Sequence, residues 1–198
     1  NQITSGDWAL RSSGGPFWLR QSVVNIDEEE EEIYFTSLKE SSIERHLYRS
    51  SIDGKNIEKL SDQKGVHKIN FSNDGNFYLD IHSDASSPPT LVLYKNDGKK
   101  IHTLVDDRPE IISEYDLQTP ELFTIPTKDN FLMPAQILKP KNFNKTKKYP
   151  IIFHVYGGPS APTVFDRWQG HSLFYDNMLL EMGYLIVKFD HRASTAKS

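Results

Sequence analysis

The sequence predicts a mixed fold, in which short antiparallel β-sheets precede the start of an α/β domain. Residues 1–105 consist of short β-rich runs separated by turn signals, with no helical periodicity. From residue 121 onward the pattern changes to a strand, a sharp turn, a helix and a second strand. We therefore divide the chain into a β-rich part at 1–105, a connector at 106–120 and an α/β part at 121–198.

The composition excludes several classes of protein. The 198 residues carry a net charge of −4, so there is no basic field to hold nucleic acid. The apolar runs are strand-sized, so no contact with a membrane is predicted from them. The chain has no cysteine, which excludes disulfides and thiolate chemistry and leaves no redox argument about compartment.

Eight strands are predicted in the β-rich part, with tight turns between them. Asp53-Gly54, Asn73-Asp74-Gly75 and Asn96-Asp97-Gly98 suit the positive φ angles of hairpin turns. The predicted strands are Ser22–Ile26, Ile33–Thr36, His46–Ser50, Ile57–Leu60, Lys68–Phe71, Phe77–His82, Leu91–Lys95 and Ile101–Val105.

An internal repeat indicates how these strands are arranged. The run from Asp53 to Leu60 recurs from Asp97 to Leu104, an offset of 97 − 53 = 44 residues. A period of about 40–50 residues filled by short antiparallel strands is typical of four-stranded β-propeller blades. We therefore predict that 1–105 forms propeller blades, stacked because one blade cannot bury both of its faces alone.

Six consecutive acidic residues occupy Asp27–Glu32. A site for a metal ion or another cation is one interpretation of such a run. Like charges repel and favour exposed, extended chain, so we predict a solvated loop tip instead.

The α/β part contains a hairpin followed by a strand, a helix and another strand. The hairpin strands are Leu122–Pro126 and Leu132–Lys139. Tyr149–Tyr156 is nearly continuously apolar, which predicts a strand buried on both faces. The helix is predicted over Leu173–Met182, with Ser172 as its N-cap and Gly183 past its C-terminus. A second buried strand at Tyr184–Phe189 then predicts a mostly parallel sheet.

Two runs of this part carry a family resemblance. They are YPIIFHVYGGP at 149–159 and GYLIVKFDHR at 183–192, and the run 138–148 that leads into the first is also similar. Together they resemble the prolyl oligopeptidase family, most closely its dipeptidyl peptidase IV branch; ITSGDW at 3–8 resembles a phrase of that branch's propeller. The resemblance implies a β-propeller capping an α/β-hydrolase domain. Residues 1–105 would be the C-terminal blades of the propeller, and 121–198 the truncated N-terminal start of the hydrolase domain.

The activity that the resemblance implies is removal of dipeptides from peptide N-termini, often after proline or alanine. A serine attacks the scissile carbonyl, a histidine carries the proton and an aspartate orients the histidine. Peptides are the expected partners, and no cofactor or metal is expected.

Tyr156 is the one position onto which a catalytic role carries over. In the family, the tyrosine of this turn donates its hydroxyl proton to the oxyanion of the tetrahedral intermediate. The carboxyl end of a strand is also where α/β folds place their ligands. Without the resemblance, Tyr156 would only cap a buried strand and bond to nearby backbone.

The residues that follow these two strands are expected to support the site. Gly157, Gly158 and Pro159 form the turn after Tyr156, and such a sharp turn often requires a positive φ. Arg192 matches the family's Asp-x-Arg-Gly stretch and is expected to shape the surroundings of the site, although Ala193 stands where the family has glycine.

Other candidates are weaker on chemical grounds. His154, His171 and His191 would need convergent geometry to form a metal site, and a lone strand histidine such as His154 is more often hydrogen-bonded in the core. Ser194 and Ser198 are not nucleophile candidates, because the chain contains no Gly-x-Ser-x-Gly.

The leading hypothesis is a fragment of a serine exopeptidase that is inactive and unstable alone. The chain lacks an initiator Met and ends directly after a buried-looking strand, as a piece of a larger protein would. Two alternatives stay open: a non-catalytic peptide-binding propeller with a degenerate hydrolase remnant, and a family sibling acting as an oligopeptidase or acylaminoacyl peptidase. By resemblance alone, the parent would be secreted, periplasmic or membrane-anchored, and possible homodimer formation follows from the same likeness.

Overall fold

The computed structural model describes residues 3–10, 22–106, 110–158 and 161–194. Within these ranges the strands form three four-stranded sheets, ordered β1-β2-β3-β4, β5-β6-β7-β8 and β11-β12-β10-β9. The elements of the first two sheets are β1 Val23–Asp27, β2 Glu32–Ser37, β3 His46–Ser51, β4 Glu58–Lys59, β5 Val66–Phe71, β6 Phe77–Asp84, β7 Ser87–Lys95 and β8 Lys100–Asp106. They are followed by α1 Glu110–Glu114, β9 Glu121–Pro126, β10 Leu132–Leu138, β11 Ile151–His154, α2 His171–Glu181 and β12 Leu185–Phe189.

The predicted repeat corresponds to one sheet per copy. Both of the first two sheets are antiparallel throughout. Gly54 and Gly98 take equivalent places, in the turn between the third and fourth strand of each sheet, with φ angles of 77° and 86°. In each turn the preceding aspartate, Asp53 or Asp97, accepts a hydrogen bond from a backbone N–H two residues later. The two sheets are thus copies of one unit, consistent with propeller blades.

All eight predicted strands of this part are present, with small differences at their ends. β7 begins at Ser87 rather than Leu91 and includes Pro88 and Pro89. Proline cannot donate a backbone hydrogen bond, but these two are tolerated because the β6–β7 pairing is irregular opposite them, between His82 and Asp84. The connector prediction for 106–120 missed the short helix α1, which its turn-like composition did not indicate.

The acidic run forms an exposed turn between β1 and β2, as predicted. The side chain of Asp27 accepts hydrogen bonds from the backbone N–H groups of Glu29 and Glu30. Glu32 differs from its neighbours, because it begins β2 and pairs with Arg49 at 3.4 Å.

The two blade-like sheets pack against each other and share a core. Backbone bonds join them directly: Arg45 N–H donates to the Gly65 carbonyl, and His67 N–H donates to the Arg45 carbonyl, each at 3.0 Å. The shared apolar cluster consists of Tyr34, Leu47, Leu60, Ile69 and Tyr78. Neither sheet buries this face alone, which is the physical reason that the repeat occurs in stacked copies.

Three buried histidines form a column across the same contact. His46 comes from β3, His67 from β5 and His82 from β6, and each is at most 4% exposed. The ring centroids are 5.3 Å apart for His46 and His67, and 4.5 Å apart for His67 and His82. The cross-strand pairing of His67 with His82 explains the closer stack.

The three rings differ in their hydrogen-bond partners. His67 Nε2 lies 2.8 Å from the Gln63 carbonyl and its Nδ1 lies 2.7 Å from Asp80 Oδ2, so both nitrogens face acceptors. His82 Nε2–H donates to the Lys64 carbonyl at 2.6 Å. Burial lowers the pKa of both His46 and His82, and the neighbouring His67 lowers it further. His46 and His82 are therefore harder to protonate than an exposed histidine.

The third sheet is mixed, whereas a mostly parallel sheet was predicted. Within the described residues, β11 and β12 are its one parallel pair; β10 pairs antiparallel with both β12 and β9. The prediction was wrong because it considered only the strand–helix–strand unit, whereas the β9–β10 hairpin joins this sheet through β10. Helix α2 covers one face, over a core of Leu117, Leu138, Leu173, Leu180 and Ile186.

β11 is shorter and more exposed than predicted. The apolar run at 149–156 was expected to be buried on both faces, but Ile151 and Phe153 are 46% and 58% exposed. β11 is the edge strand of the described sheet and only its α2-facing side is covered.

Helix α2 also begins earlier than predicted. Ser172 lies inside the helix, and the N-cap is Gly170, which makes no side-chain capping bond. The start is set by the chain reversal at Gly170, whose φ of 55° favours glycine. Gly183 follows the C-terminus as predicted, with φ 91°. Neither described helix has the length and apolar character needed to cross a membrane.

Acidification is expected to weaken the contact between the two blade-like sheets. Because the folded pKa values of His46 and His82 are lowered, the unfolded state binds more protons once the pH falls below the ordinary histidine value of about 6.5. Their stabilising contribution is therefore complete above that pH and is lost as the pH falls through the lowered values. Denaturation midpoints of the parent protein at about pH 8 and about pH 5 measure this loss.

His82→Gln should reduce this pH dependence, because it removes one of the groups that gains a proton on unfolding. His102→Gln is the matched control, since His102 is exposed on β8. Equal pH dependence in wild type and His82→Gln would contradict the assignment.

Candidate active site at the carboxyl edge of the third sheet

The parallel pairing of β11 and β12 places the carboxyl ends of both strands at one edge of the sheet. His154, the last residue of β11, is in register with Lys188 of β12. Tyr156 follows β11 by two residues and Arg192 follows β12 by three. We call this region the carboxyl edge; α/β folds bind their ligands at such an edge.

Tyr156 is exposed at the carboxyl edge instead of capping a buried strand. Its side chain is 64% exposed. Gly157 adopts the predicted positive φ, at 74°. Gly158 is needed for a different reason: a Cβ at this position would collide with the ring of Tyr156, which lies against the Gly158 backbone. Pro159, the last residue of the predicted supporting turn, lies outside the described residues.

Arg192 reaches across to the turn between β9 and β10. Its guanidinium pairs with the Asp129 carboxylate and lies 4.7 Å from the centroid of the Phe131 ring. Hydrogen bonding from Thr127 and then from Arg192 lowers the pKa of Asp129. The turn after β12 forms with Ala193 in place of glycine, closed by the Ser194 hydroxyl donating to the His191 carbonyl at 2.8 Å.

Asp190 was not predicted as a site residue, yet it organises the chain near the carboxyl edge. It is 3% exposed and follows β12 directly. Its carboxylate accepts hydrogen bonds from Thr163 N–H at 2.8 Å, Thr163 Oγ1 at 2.9 Å and Val164 N–H at 2.8 Å. The only feature of the sequence that could have indicated this role is that Asp190 is a polar residue directly after a strand predicted to be buried.

A row of polar side chains crosses the face of the sheet beneath α2. Cross-strand register places Gln136, Lys188 and His154 side by side on three neighbouring strands. Asp176 of α2 lies above the row, 3.3 Å from Lys188 Nζ and 3.9 Å from His154 Nε2. The contact with Lys188 is an ion pair without hydrogen-bond geometry.

Gln169 links two members of this polar row. It accepts a hydrogen bond from Lys188 Nζ at 2.6 Å and donates to Gln136 Oε1 at 3.1 Å. A cavity of about 180 Å³ opens beside it, lined in part by Ser172 and Lys188. The row includes His154, the last residue of β11, and Lys188, which is next to the last residue of β12. It therefore lies next to the carboxyl edge, on the face of the sheet that α2 covers.

His154 is not buried in the core, and it does not lie in a cluster of metal-ligating side chains among the described residues. Its side chain is 41% exposed and faces Asp176. The residues that the structure describes contain no group of three or more His, Cys, Asp or Glu side chains arranged to hold a metal ion, and His154, His171 and His191 do not converge.

Removing the charge of Asp176 should destabilise the fold far more than removing a surface charge. Asp176→Asn leaves the Lys188 ammonium, whose side chain is 12% exposed, without its carboxylate. We expect a loss of about 3–5 kcal/mol in the free energy of unfolding, measured by chemical denaturation of the parent protein.

The control for Asp176→Asn is Asp116→Asn. Asp116 pairs with Lys141, but these side chains are 66% and 65% exposed. A surface pair of this kind contributes below about 1 kcal/mol. Equally small effects of the two substitutions would refute the structural role of the row.

Gly158→Ala should displace the ring of Tyr156, because the added methyl group occupies the position of the ring. The ring signals of Tyr156 in an NMR spectrum of labelled tyrosine measure this displacement. Gly157→Ala is the contrast, since a Cβ there meets no atom within 4 Å and only strains the backbone at φ 74°. Unchanged Tyr156 signals in Gly158→Ala would contradict the packing described above.

Comparisons with known proteins agree on one family. The family model for the dipeptidyl peptidase IV (DPP IV) N-terminal region matches residues 1–89. The chain is 31% identical over 199 residues to the probable dipeptidyl-aminopeptidase B of Emericella nidulans, and 28% identical over 202 residues to human dipeptidyl peptidase 8. These alignments cover 97% of this chain and 20% and 22% of the two relatives, so the chain spans about a fifth of their length.

The fold is also that of a solved relative. The crystal structure of Porphyromonas gingivalis dipeptidyl peptidase 4 superposes with a TM-score of 0.80 at 24% identity, covering 97% of this chain and 26% of that one. The family model and the sequence relatives identify the chain as dipeptidyl peptidase IV-like, and the solved structure shows that it shares that fold.

Proposed function

We propose that the chain is part of a serine exopeptidase that releases dipeptides from peptide N-termini. The curated relatives are named as dipeptidyl peptidases or dipeptidyl-aminopeptidases. The observation that carries the proposal is Tyr156, a tyrosine 64% exposed at the carboxyl end of a parallel strand. No other described residue at this edge combines a neutral hydroxyl donor with that exposure and with a glycine turn shaped around its ring.

The proposal assigns a role to each part of the chain. Residues 1–105 supply propeller blades, 106–120 the connector, and 121–198 the start of an α/β-hydrolase domain. The third sheet supports this assignment, because a helix joins its parallel strands and covers one face. Its other face exposes Phe123, Phe153 and Val155, which are 42%, 58% and 51% exposed. In an α/β-hydrolase such a face is covered by further helices, and the open edge of β11 pairs with further strands.

The proposed chemistry is acyl transfer from the peptide to a serine. When the serine oxygen attacks the scissile carbonyl, negative charge develops on the carbonyl oxygen. The Tyr156 hydroxyl would donate a hydrogen bond to that oxyanion, a bond that strengthens as the charge grows. The 198 residues contain no Gly-x-Ser-x-Gly, so the serine would come from another part of the parent protein.

Tyr156→Phe in the parent peptidase should lower kcat for dipeptide release by about 10²–10³-fold, the loss seen when one oxyanion donor is removed. KM should change little, because the bond forms mainly in the transition state. Release of a chromogenic leaving group from an N-terminal dipeptide substrate measures both constants.

Tyr175→Phe is the matched control, since Tyr175 is 55% exposed on α2 and should leave kcat unchanged. Full turnover by Tyr156→Phe would overturn the assignment of the donor. Binding of the peptide by wild type without any release would favour the non-catalytic peptide-binding alternative.

A further inference from the structure

A short segment, Thr163–Trp168, runs from the carboxyl edge to the blade-like sheets. It belongs to the crossover between β11 and β12, ahead of α2. At one end, Asp190 holds Thr163 and Val164 through their backbone N–H groups, and Val164 is 1% exposed. This end is therefore fastened to the strand that ends beside the candidate site.

The other end of the segment is fastened to both blade-like sheets. Asp166 N–H donates to the Ile43 carbonyl at 2.9 Å, just ahead of β3 in the first sheet. Asp166 Oδ1 accepts the Ala85 N–H at 2.8 Å, in the turn between β6 and β7 of the second sheet. Trp168 N–H adds a bond to Ser83 Oγ at 3.3 Å. One residue, Asp166, thus bonds to the loop before β3 and to the turn between β6 and β7.

The contact between Asp166 and Ala85 needs an acceptor oxygen on the side chain. Burial raises the pKa of Asp166, and the nearby carboxylates of Asp84 and Glu44 raise it further; the Ala85 bond and Lys64 act in the opposite direction. The Asp166 carboxyl group is therefore harder to ionise here than in water. What the contact uses is an acceptor oxygen at the right position, which a neutral amide would also provide.

We propose that Asp166 is a positioning residue for the proposed peptidase reaction, fastening the Thr163–Trp168 segment to both blade-like sheets and so setting their position relative to the carboxyl edge. The inference rests on the proposed function, because the edge matters only if it carries the oxyanion donor. Asp166 makes no contact with reacting atoms in this role. It acts through Asp190, which holds the same segment next to the site.

The test compares Asp166→Ala with Asp166→Asn in the parent peptidase. Asp166→Ala removes the acceptor, so the Ala85 amide should exchange with deuterium about tenfold faster, the effect of one lost buried hydrogen bond. It should also lower kcat by at least about tenfold, because small misplacements of a catalytic group cost that much or more. Asp166→Asn keeps an acceptor oxygen without the charge, and both quantities should stay near wild type.

Asp97→Ala is the matched control. Asp97 also accepts a backbone N–H, from Lys99 at 2.9 Å, but within a hairpin turn of one blade-like sheet. Its loss should leave kcat and the Ala85 exchange unchanged. Ser83→Ala, which removes the acceptor for Trp168, is a milder second variant and should lower kcat in the same direction as Asp166→Ala.

Several outcomes would overturn the inference. Unchanged exchange in Asp166→Ala means that the segment is not fastened by this residue. Faster exchange with unchanged kcat means that the attachment is structural only, and a loss in Asp166→Asn equal to that in Asp166→Ala means that charge is what matters. If the wild-type parent releases no dipeptide, the positioning role falls with the proposed function, while the Ala85 exchange still shows separately whether Asp166 fastens the segment.

Discussion

β11 and β12 pair in parallel, and that pairing determines where the rest of the C-terminal half lies. A parallel pair needs a long crossover, because the chain must return to the same end of the sheet before the second strand starts. Here the crossover carries Tyr156 and its glycine turn, the Thr163–Trp168 segment and helix α2. The candidate donor, the attachment to the blade-like sheets and the cover of the sheet are all consequences of one connection.

Two buried polar clusters set the geometry on either side of this connection. The column of His46, His67 and His82 joins the two blade-like sheets, and the Asp176–Lys188 pair joins α2 to the third sheet. Burying charge is costly, and apolar residues of the same volume would pack with less penalty. Such groups accept few alternative arrangements, because each must keep its partner. We therefore regard them as the interactions that define how these elements fit together, more than as sources of stability.

Local features of the chain were predictable because they depend on neighbouring residues alone. The Asp-Gly turns, the 44-residue repeat and the eight strands of the blade-like sheets follow from turn chemistry and alternation. The glycine after Tyr156 was predicted for its positive φ, and Gly157 has it. The predictions that were wrong concern burial and partners: β11 was taken as a fully buried strand, and Ser172 as the helix cap.

By itself, the sequence determined the two-part order of elements, the repeat and the place of Tyr156 at a strand end. Only the tertiary structure decided that Gln136, Lys188 and His154 form one row, that three buried histidines lie in one column, and that Asp166 meets Ala85 across 81 positions of the chain. The physical reason is that turn and strand preferences arise from the backbone and its nearest neighbours. Register across strands and contacts between sheets arise from the packing of segments that no local pattern connects.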